Sequence, residues 1–241
     1  MSKIYEALKK AEEERERERT RAPSPGAPPP VLQDPAAAIL EDYQRLRASV
    51  LSMTVPAGLH TILLVSAQHG EGTTTVALGL AMALAREREA RVLLMEANLR
   101  SPSLRNLLPV PTSFGLSDYA LGRAAPEAIV TRVDEWNLSV IPAGMQPATT
   151  VAVEAIEALL ARLQTQFDFV VIDGPPVNLY ADAAVIASKV DGVILVFEAD
   201  RTPVTDAEAA KRQLDRVGAR ILGVVLNRQR SYIPAFLENL L

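Results

Sequence analysis

The stretch Ser66-Ala67-Gln68-His69-Gly70-Glu71-Gly72-Thr73-Thr74-Thr75 follows the apolar run Ile62-Leu63-Leu64-Val65 and precedes Val76-Ala77-Leu78-Gly79-Leu80-Ala81-Met82-Ala83-Leu84-Ala85. A strand, a glycine-rich turn and a helix in that order aim backbone N–H groups and a helix dipole at an anion. The usual phosphate-loop spacing is G-x-x-x-x-G-K-[ST], in which Lys reaches the β- and γ-phosphates and the hydroxyl serves Mg²⁺. Here Ala67 stands at the first glycine position, Gly72 at the second, Thr73 where Lys belongs and Thr74 at the hydroxyl. The cradle for a phosphate is written in the chain and its cation is missing.

Beyond that stretch, strands and helices alternate. Apolar strand candidates lie at 61–66, 91–96, 138–142, 169–173, 192–198 and 220–226, and helical stretches at 73–88, 149–166, 179–189 and 203–217. The strand runs are apolar without alternation, which predicts burial on both faces. The expected fold is therefore α/β, a mostly parallel sheet between helix layers, of the P-loop NTPase kind. Ligands of such sheets sit at the carboxyl ends of the strands. One such end, Val170-Val171-Ile172-Asp173, puts a carboxylate after three apolar residues and before Gly174-Pro175-Pro176, as in a Walker-B strand whose Asp serves Mg²⁺.

The flanks read differently. In residues 1–21, Ser2 is a candidate helix cap, Ile4, Leu8 and Ala11 form a short apolar stripe, and the charged run Glu12-Glu13-Glu14-Arg15-Glu16-Arg17-Glu18-Arg19 follows. That is a solvated charged helix or a docking helix for a partner. Residues 22–35 are proline-rich and read as an extended linker, leaving 36–241 as the folded domain.

Composition narrows the function classes. A chain of 241 residues, 49% hydrophobic, can bury one sizeable core. A net charge of −4 argues against a nucleic-acid partner, which needs a basic surface. The absence of cysteine excludes thiolate metal sites and cysteine nucleophiles. No apolar run approaches a membrane span and the N-terminus is too charged for a signal peptide, so a cytoplasmic location is expected.

Further blocks share one source. Val92-Leu93-Leu94-Met95-Glu96-Ala97-Asn98-Leu99-Arg100, Gly115-Leu116-Ser117-Asp118-Tyr119, Val140-Ile141-Pro142-Ala143-Gly144, Asp173-Gly174-Pro175-Pro176 and Leu222-Gly223-Val224-Val225-Leu226-Asn227 occur in that order. Together with the phosphate loop, the chain over residues 36–230 resembles the cytoplasmic kinase domain of the bacterial tyrosine kinases (BY-kinases) of capsule and exopolysaccharide assembly. The opening Met1-Ser2-Lys3-Ile4-Tyr5-Glu6-Ala7-Leu8 resembles the start of its stand-alone members. The resemblance implies ATP or ADP with Mg²⁺ as ligand, bound by Gly70, Glu71, Gly72, Thr73, Thr74 and Thr75, with Asn227 at the adenine. It implies Thr74, Asp173 and Glu96 around the metal, and Asp173, Glu96 and Arg100 in catalysis. It also implies a membrane chain-length or export protein as partner, recruitment to the inner face of the membrane, and homo-oligomer contact through the helix at 41–47.

Departures from the family gather at the chemistry. Thr73 replaces the clamping Lys, Glu96 and Asn98 replace two aspartates of a D-x-D-x-R motif that keeps Arg100, and Gln44 replaces the middle Arg of an E-x-x-R-x-x-R helix. The tail holds one tyrosine, Tyr232, where active members carry a cluster of phosphoacceptors. Simpler accounts exist: Glu96 and Asn98 as a polar strand end, Asn227 as a turn residue, Tyr232 as an exposed tail residue. A lost charge-assisted hydrogen bond costs about 1.5–3 kcal/mol, or roughly 10- to 150-fold in binding. A transition-state cation is worth about 10³–10⁵ in rate. The expectation is thus a catalytically impaired homologue with a regulatory role. The alternatives are an active kinase using Arg100 or His69 in place of Lys and, more distantly, a Min/Par-type positioning ATPase.

Overall fold

A computed structural model of the chain describes residues 41–54, 58–86, 90–108, 110, 114–145 and 153–229. The predicted helix at 1–21, the linker at 22–35 and Tyr232 lie outside the described residues. Helix α1 (Glu41–Thr54) leads into β1 (Thr61–Ser66), α2 (Thr73–Ala85) and β2 (Val92–Glu96). Two short helices follow, α3 (Leu104–Leu107) and α4 (Leu116–Ala120), then β3 (Thr131–Val133) and β4 (Leu138–Ile141). The chain continues through α5 (Val153–Gln166), β5 (Phe169–Asp173), α6 (Ala181–Ala187), β6 (Gly192–Glu198), α7 (Val204–Arg216) and β7 (Ile221–Asn227).

The strands form one seven-stranded sheet in the order β3-β4-β2-β5-β1-β6-β7, parallel except for β3 against β4. The expected α/β architecture is therefore present. The apolar runs lack alternation because both faces are covered. Leu63, Val65, Leu93, Met95, Val170 and Ile172 face one cluster with Ile156, Leu159 and Leu163 of α5. Ile62, Leu64, Val92, Leu94 and Val171 face the other, against Val76, Leu80 and Leu84 of α2. Successive residues of a strand point to opposite faces, so a strand covered twice has no polar side to show.

Helix α2 is apolar around its circumference because it lies between the sheet and α1. Gly79 makes that stacking close: a Cβ there would lie 2.2 Å from the Tyr43 ring of α1. The helix at 41–47 thus has one face against α2, while Arg45 pairs with Glu41 on its exposed side.

Strand β3 was not anticipated. Thr131-Arg132-Val133 is too short to carry a period, and it becomes a strand by pairing antiparallel with β4. Its presence closes the open edge of β4. Trp136, in the turn between β3 and β4, packs against the second core cluster.

The start of β1 is anchored by Asp191, whose Oδ2 accepts the N–H groups of His60 at 2.9 Å and Thr61 at 2.8 Å and the Thr61 hydroxyl at 2.7 Å. Partial burial pushes this carboxyl's pKa up, but the bonds from Thr61 and His60 outweigh it and leave the pKa below the ordinary value. A depressed carboxylate contributes stability above its unfolded pKa and loses it as the pH falls through the folded one. Asp191→Ala should therefore cost about 1–3 kcal/mol at neutral pH in urea unfolding. That deficit should shrink toward zero as the wild-type carboxyl is protonated.

Candidate functional site

The loop from Ala67 to Gly72 leaves the carboxyl end of β1 and turns directly into α2. Gly72 is the helix cap, at φ +88°, and offers no side-chain acceptor to the first-turn N–H groups. It also lets the loop approach β7: a Cβ at Gly72 would lie 2.1 Å from the side-chain nitrogen of Asn227. Asn227 uses that nitrogen to donate to the Glu71 carbonyl at 2.8 Å. The Glu71 carboxylate is buried and holds the turn from inside, accepting the Gln68 N–H at 2.8 Å and the Thr202 hydroxyl. The loop is therefore shaped by its own protein contacts. Asn227, expected at an adenine, has its amide committed to the loop.

Beside the loop lies a cavity of about 270 Å³ bordered by Gly72, Thr73, Thr74, Thr75, Asn98 and Ser103, among others. Asp173 ends β5 next to it, paired in register with Leu64 of β1 on one side and Glu96 of β2 on the other. Its carboxylate is fully buried, and among the described residues neither oxygen meets a hydrogen-bond donor in good geometry. Burial pushes its pKa up to about 7; the nearby Thr74 hydroxyl pulls it down and the Glu96 charge adds to the rise. The Oδ1 of Asn98 is likewise buried and without a donor. Buried polar groups are normally satisfied, and an orphaned carboxylate is a strong signal. The unsatisfied atoms here are all oxygens, the donor set a hard divalent cation takes.

Glu96 does something else. One of its oxygens accepts the N–H groups of Ser103 and Leu104 and the other accepts that of Ala143 at 3.0 Å. Three backbone amides fill the carboxylate, which ties β2 to the start of α3 and to the segment after β4. In this arrangement Glu96, expected at the metal and in catalysis, serves as a structural joint bonded to three backbone amides. The Ser103 hydroxyl, which the sequence reading did not single out, donates to Thr74 Oγ1 at 3.1 Å.

Of the two candidate replacements for the missing Lys, Arg100 is held by other partners, while His69 is part of the loop and lines the cavity. The Arg100 guanidinium lies 4.7 Å from the centre of the Tyr180 ring and pairs with Asp182 at 3.2 Å. The His69 ring nitrogen is 2.9 Å from the Tyr180 hydroxyl. Thr73 itself is buried at the first position of α2. The structure thus brings Gly70, Gly72, Thr73, Thr74 and Thr75 to one cavity, buries Asp173 beside it, and gives Glu96 and Arg100 other partners. Arg228 at the cavity rim, also missed, bonds to Glu198 at 3.0 Å.

The family described as "ParA: NUBPL iron-transfer P-loop NTPase" matches residues 59–236. The tyrosine-protein kinase CpsD of Streptococcus agalactiae is 30% identical over 179 residues, covering 73% of this chain and 78% of that protein. The chain belongs to the bacterial tyrosine-kinase family. The solved kinase domain of VpsO superposes with a TM-score of 0.71 at 29% identity, covering 82% of this BY-kinase chain and 98% of that one. MinD of Pyrococcus horikoshii, solved in complex with Mg-ADP, has a TM-score of 0.60 at 27% identity, covering 74% of this chain and 75% of its own. The P-loop ancestry of the fold and the resemblance to BY-kinases drawn from the motifs are both confirmed. Among the described residues no helix is long and apolar enough to cross a membrane.

The raised pKa of Asp173 makes a pH prediction for the ligand-free protein. A carboxyl whose folded pKa lies above its unfolded value is harmless at low pH and costs stability as the pH rises between the two. With values near 4 unfolded and about 7 folded, the cost grows from pH 4 to pH 7 and is constant above, at most about 4 kcal/mol. Asp173→Asn should therefore be more stable than wild type at pH 8 and nearly equal to it at pH 4.5, by thermal or urea unfolding.

Proposed function

We propose that this chain is a BY-kinase-fold protein that binds ATP or ADP with Mg²⁺ weakly and transfers phosphate poorly or not at all. Its role is regulatory: a cytoplasmic partner, recruited to the inner face of the membrane, of a chain-length or export protein in capsule or exopolysaccharide assembly. The observation that carries this reading is a formed phosphate cradle, with a buried unsatisfied Asp173 beside it, lacking a cation at position 73.

The chain's own residues divide the work as follows. The first-turn N–H groups of α2, uncapped by Gly72, bind phosphate oxygens. Thr74 and Asp173, with Asn98 nearby, would hold Mg²⁺, which usually keeps several waters and needs only one or two carboxylates besides phosphate. When bound, the ion supplies charge neutralisation between the phosphates. Thr73 donates at most one neutral hydrogen bond where Lys would give a charge, so charge building on the transferred phosphoryl is not countered. Phosphoryl transfer rests almost wholly on positioning and electrostatics, so rate suffers more than binding.

A second reading, an active kinase acting on Tyr232 or on a partner, draws support from the retained Thr74 and Asp173. It requires Arg100 to leave Tyr180 and Asp182 and swing toward the loop, or His69, already in the loop, to give up the Tyr180 hydroxyl. Homo-oligomer contact through 41–47 is part of either reading, since the outer side of α1 carries the Glu41–Arg45 pair.

Restoring the cation separates the readings. Thr73→Lys should raise Mg·ATP affinity by about tenfold or more in calorimetry, the worth of one charge-assisted bond. Wild type incubated with ATP and Mg²⁺ should show no phosphate on Tyr232 by mass spectrometry. Stoichiometric phosphate there, abolished by Asp173→Ala, would establish the active kinase instead. An unchanged affinity in Thr73→Lys would mean that loop shape, and not charge, limits binding.

A further inference from the structure

Among the described residues, the phosphate cavity has one permanently charged cation on its wall, and a distant strand delivers it. Arg228 lines the cavity together with Gly70, Gly72, Thr73 and Thr74. It is the first residue after β7, and ligands of parallel sheets sit where the strands end. Three bonds fix the backbone there. The Asn227 side chain donates to the Glu71 carbonyl at 2.8 Å, the Asn227 carbonyl accepts the Ala199 N–H at 2.9 Å, and the Arg228 N–H donates to Asn227 Oδ1 at 3.0 Å. Arg228 itself takes φ +57°, a left-handed turn that residues other than glycine rarely adopt. The strand thus ends in a clamped, sharply turned arginine beside the loop whose lysine is missing.

The guanidinium can leave its present partner at little cost. Glu198, at the end of β6, accepts from Arg228 Nη1 at 3.0 Å and from Arg201 Nη1 at 3.1 Å through the same oxygen, Oε2. Withdrawal of Arg228 leaves that carboxylate paired, and the Arg228 side chain is already half exposed. Arg100, by contrast, is paired with Asp182 and lies over the Tyr180 ring. A guanidinium is a planar fork that matches two phosphate oxygens at once. We infer that Arg228 supplies the positive charge this phosphate loop lacks, by leaving Glu198 and binding the phosphate oxygens of a nucleoside di- or triphosphate in the cavity. The inference rests on the reading of the cavity as a nucleotide site. Glu198 then competes with the ligand for the arginine, and Arg201 holds the vacated carboxylate.

Titration calorimetry of the full chain with Mg·ADP and with magnesium tripolyphosphate tests it. Arg228→Gln, which keeps an unbranched side chain in the left-handed turn, should weaken both ligands about tenfold or more, the worth of one charge-assisted bond. Arg228→Lys should recover part of that loss. Glu198→Gln should tighten both ligands, because it releases the arginine. The decisive comparison is Arg228→Gln in the Glu198→Gln background. A residue that serves only as a partner for Glu198 should cost nothing once Glu198 is neutral, whereas a phosphate ligand should again cost about tenfold or more. Equal affinities with and without Arg228 in that background would overturn the inference while leaving nucleotide binding intact. Wild type that binds tripolyphosphate but not Mg·ADP, with the binding lost in Arg228→Gln, would uphold Arg228 as the phosphate cation and overturn the nucleotide reading. Wild type that binds neither would overturn both.

Discussion

Parallel pairing of β1 on both of its edges is the constraint from which the site follows. Leu63 pairs with Ile172 on one side and with Val193 on the other, and all six residues of β1 are buried. A slip of one residue would turn Ile62 and Leu64 into the face packed by α5 and send Leu63 and Val65 toward α2. With both faces covered by apolar helices, the register is set by side-chain shape and by Asp191, which pins the first residue of the strand. Once it is set, the strand ends are level. The loop leaving β1, the carboxylate ending β5 and the carboxylate ending β2 then meet at one place.

Two carboxylates side by side at those ends cannot both stay free and charged in a buried setting without cost. The chain resolves this by using them differently. Glu96 spends its charge on three backbone amides, which turns it into a structural tie between β2, α3 and the segment after β4. Asp173 has only the Thr74 hydroxyl nearby, and burial pushes its pKa up to about 7. A cation beside Asp173 would favour its charged form and relieve that strain, and this makes the empty-handed carboxylate the clearest sign of a metal-dependent ligand. The same division explains how a glutamate is accommodated where the family's aspartate stands.

Loss of the lysine acts on top of this. The loop is held by Glu71, Gln68, Thr202 and Asn227, none of which depends on a ligand, so the cradle keeps its shape without a phosphate to organise it. Arg100 and His69 meanwhile converge on Tyr180 from two elements, a small polar cluster that includes the cavity-lining His69. The glycine turn and the uncapped start of α2 are present, and threonine stands where a phosphate loop usually carries lysine.

Much of this was legible in the chain. Apolar runs with no alternation can exist in water only if covered on both sides, so Ile62–Val65, Val92–Met95 and Val170–Ile172 by themselves called for a sheet between helix layers. Gly70 and Gly72 between a strand and a helix called for an anion loop. Thr73 at the lysine position announced the missing charge. What the sequence could not decide was where long polar side chains end up. Glu96 has the reach for either a metal or the amides of Ser103, Leu104 and Ala143, and only the packing of α3 and the segment after β4 around β2 chooses the amides. Arg100 was equally free until α6 brought Asp182 and the turn before it brought Tyr180. Strand β3 is a strand only because β4 offers it an edge. Periodicity and turn chemistry are local, and one sequence carries them; the partner of a flexible charge, or of a three-residue strand, is a distant element delivered by the fold.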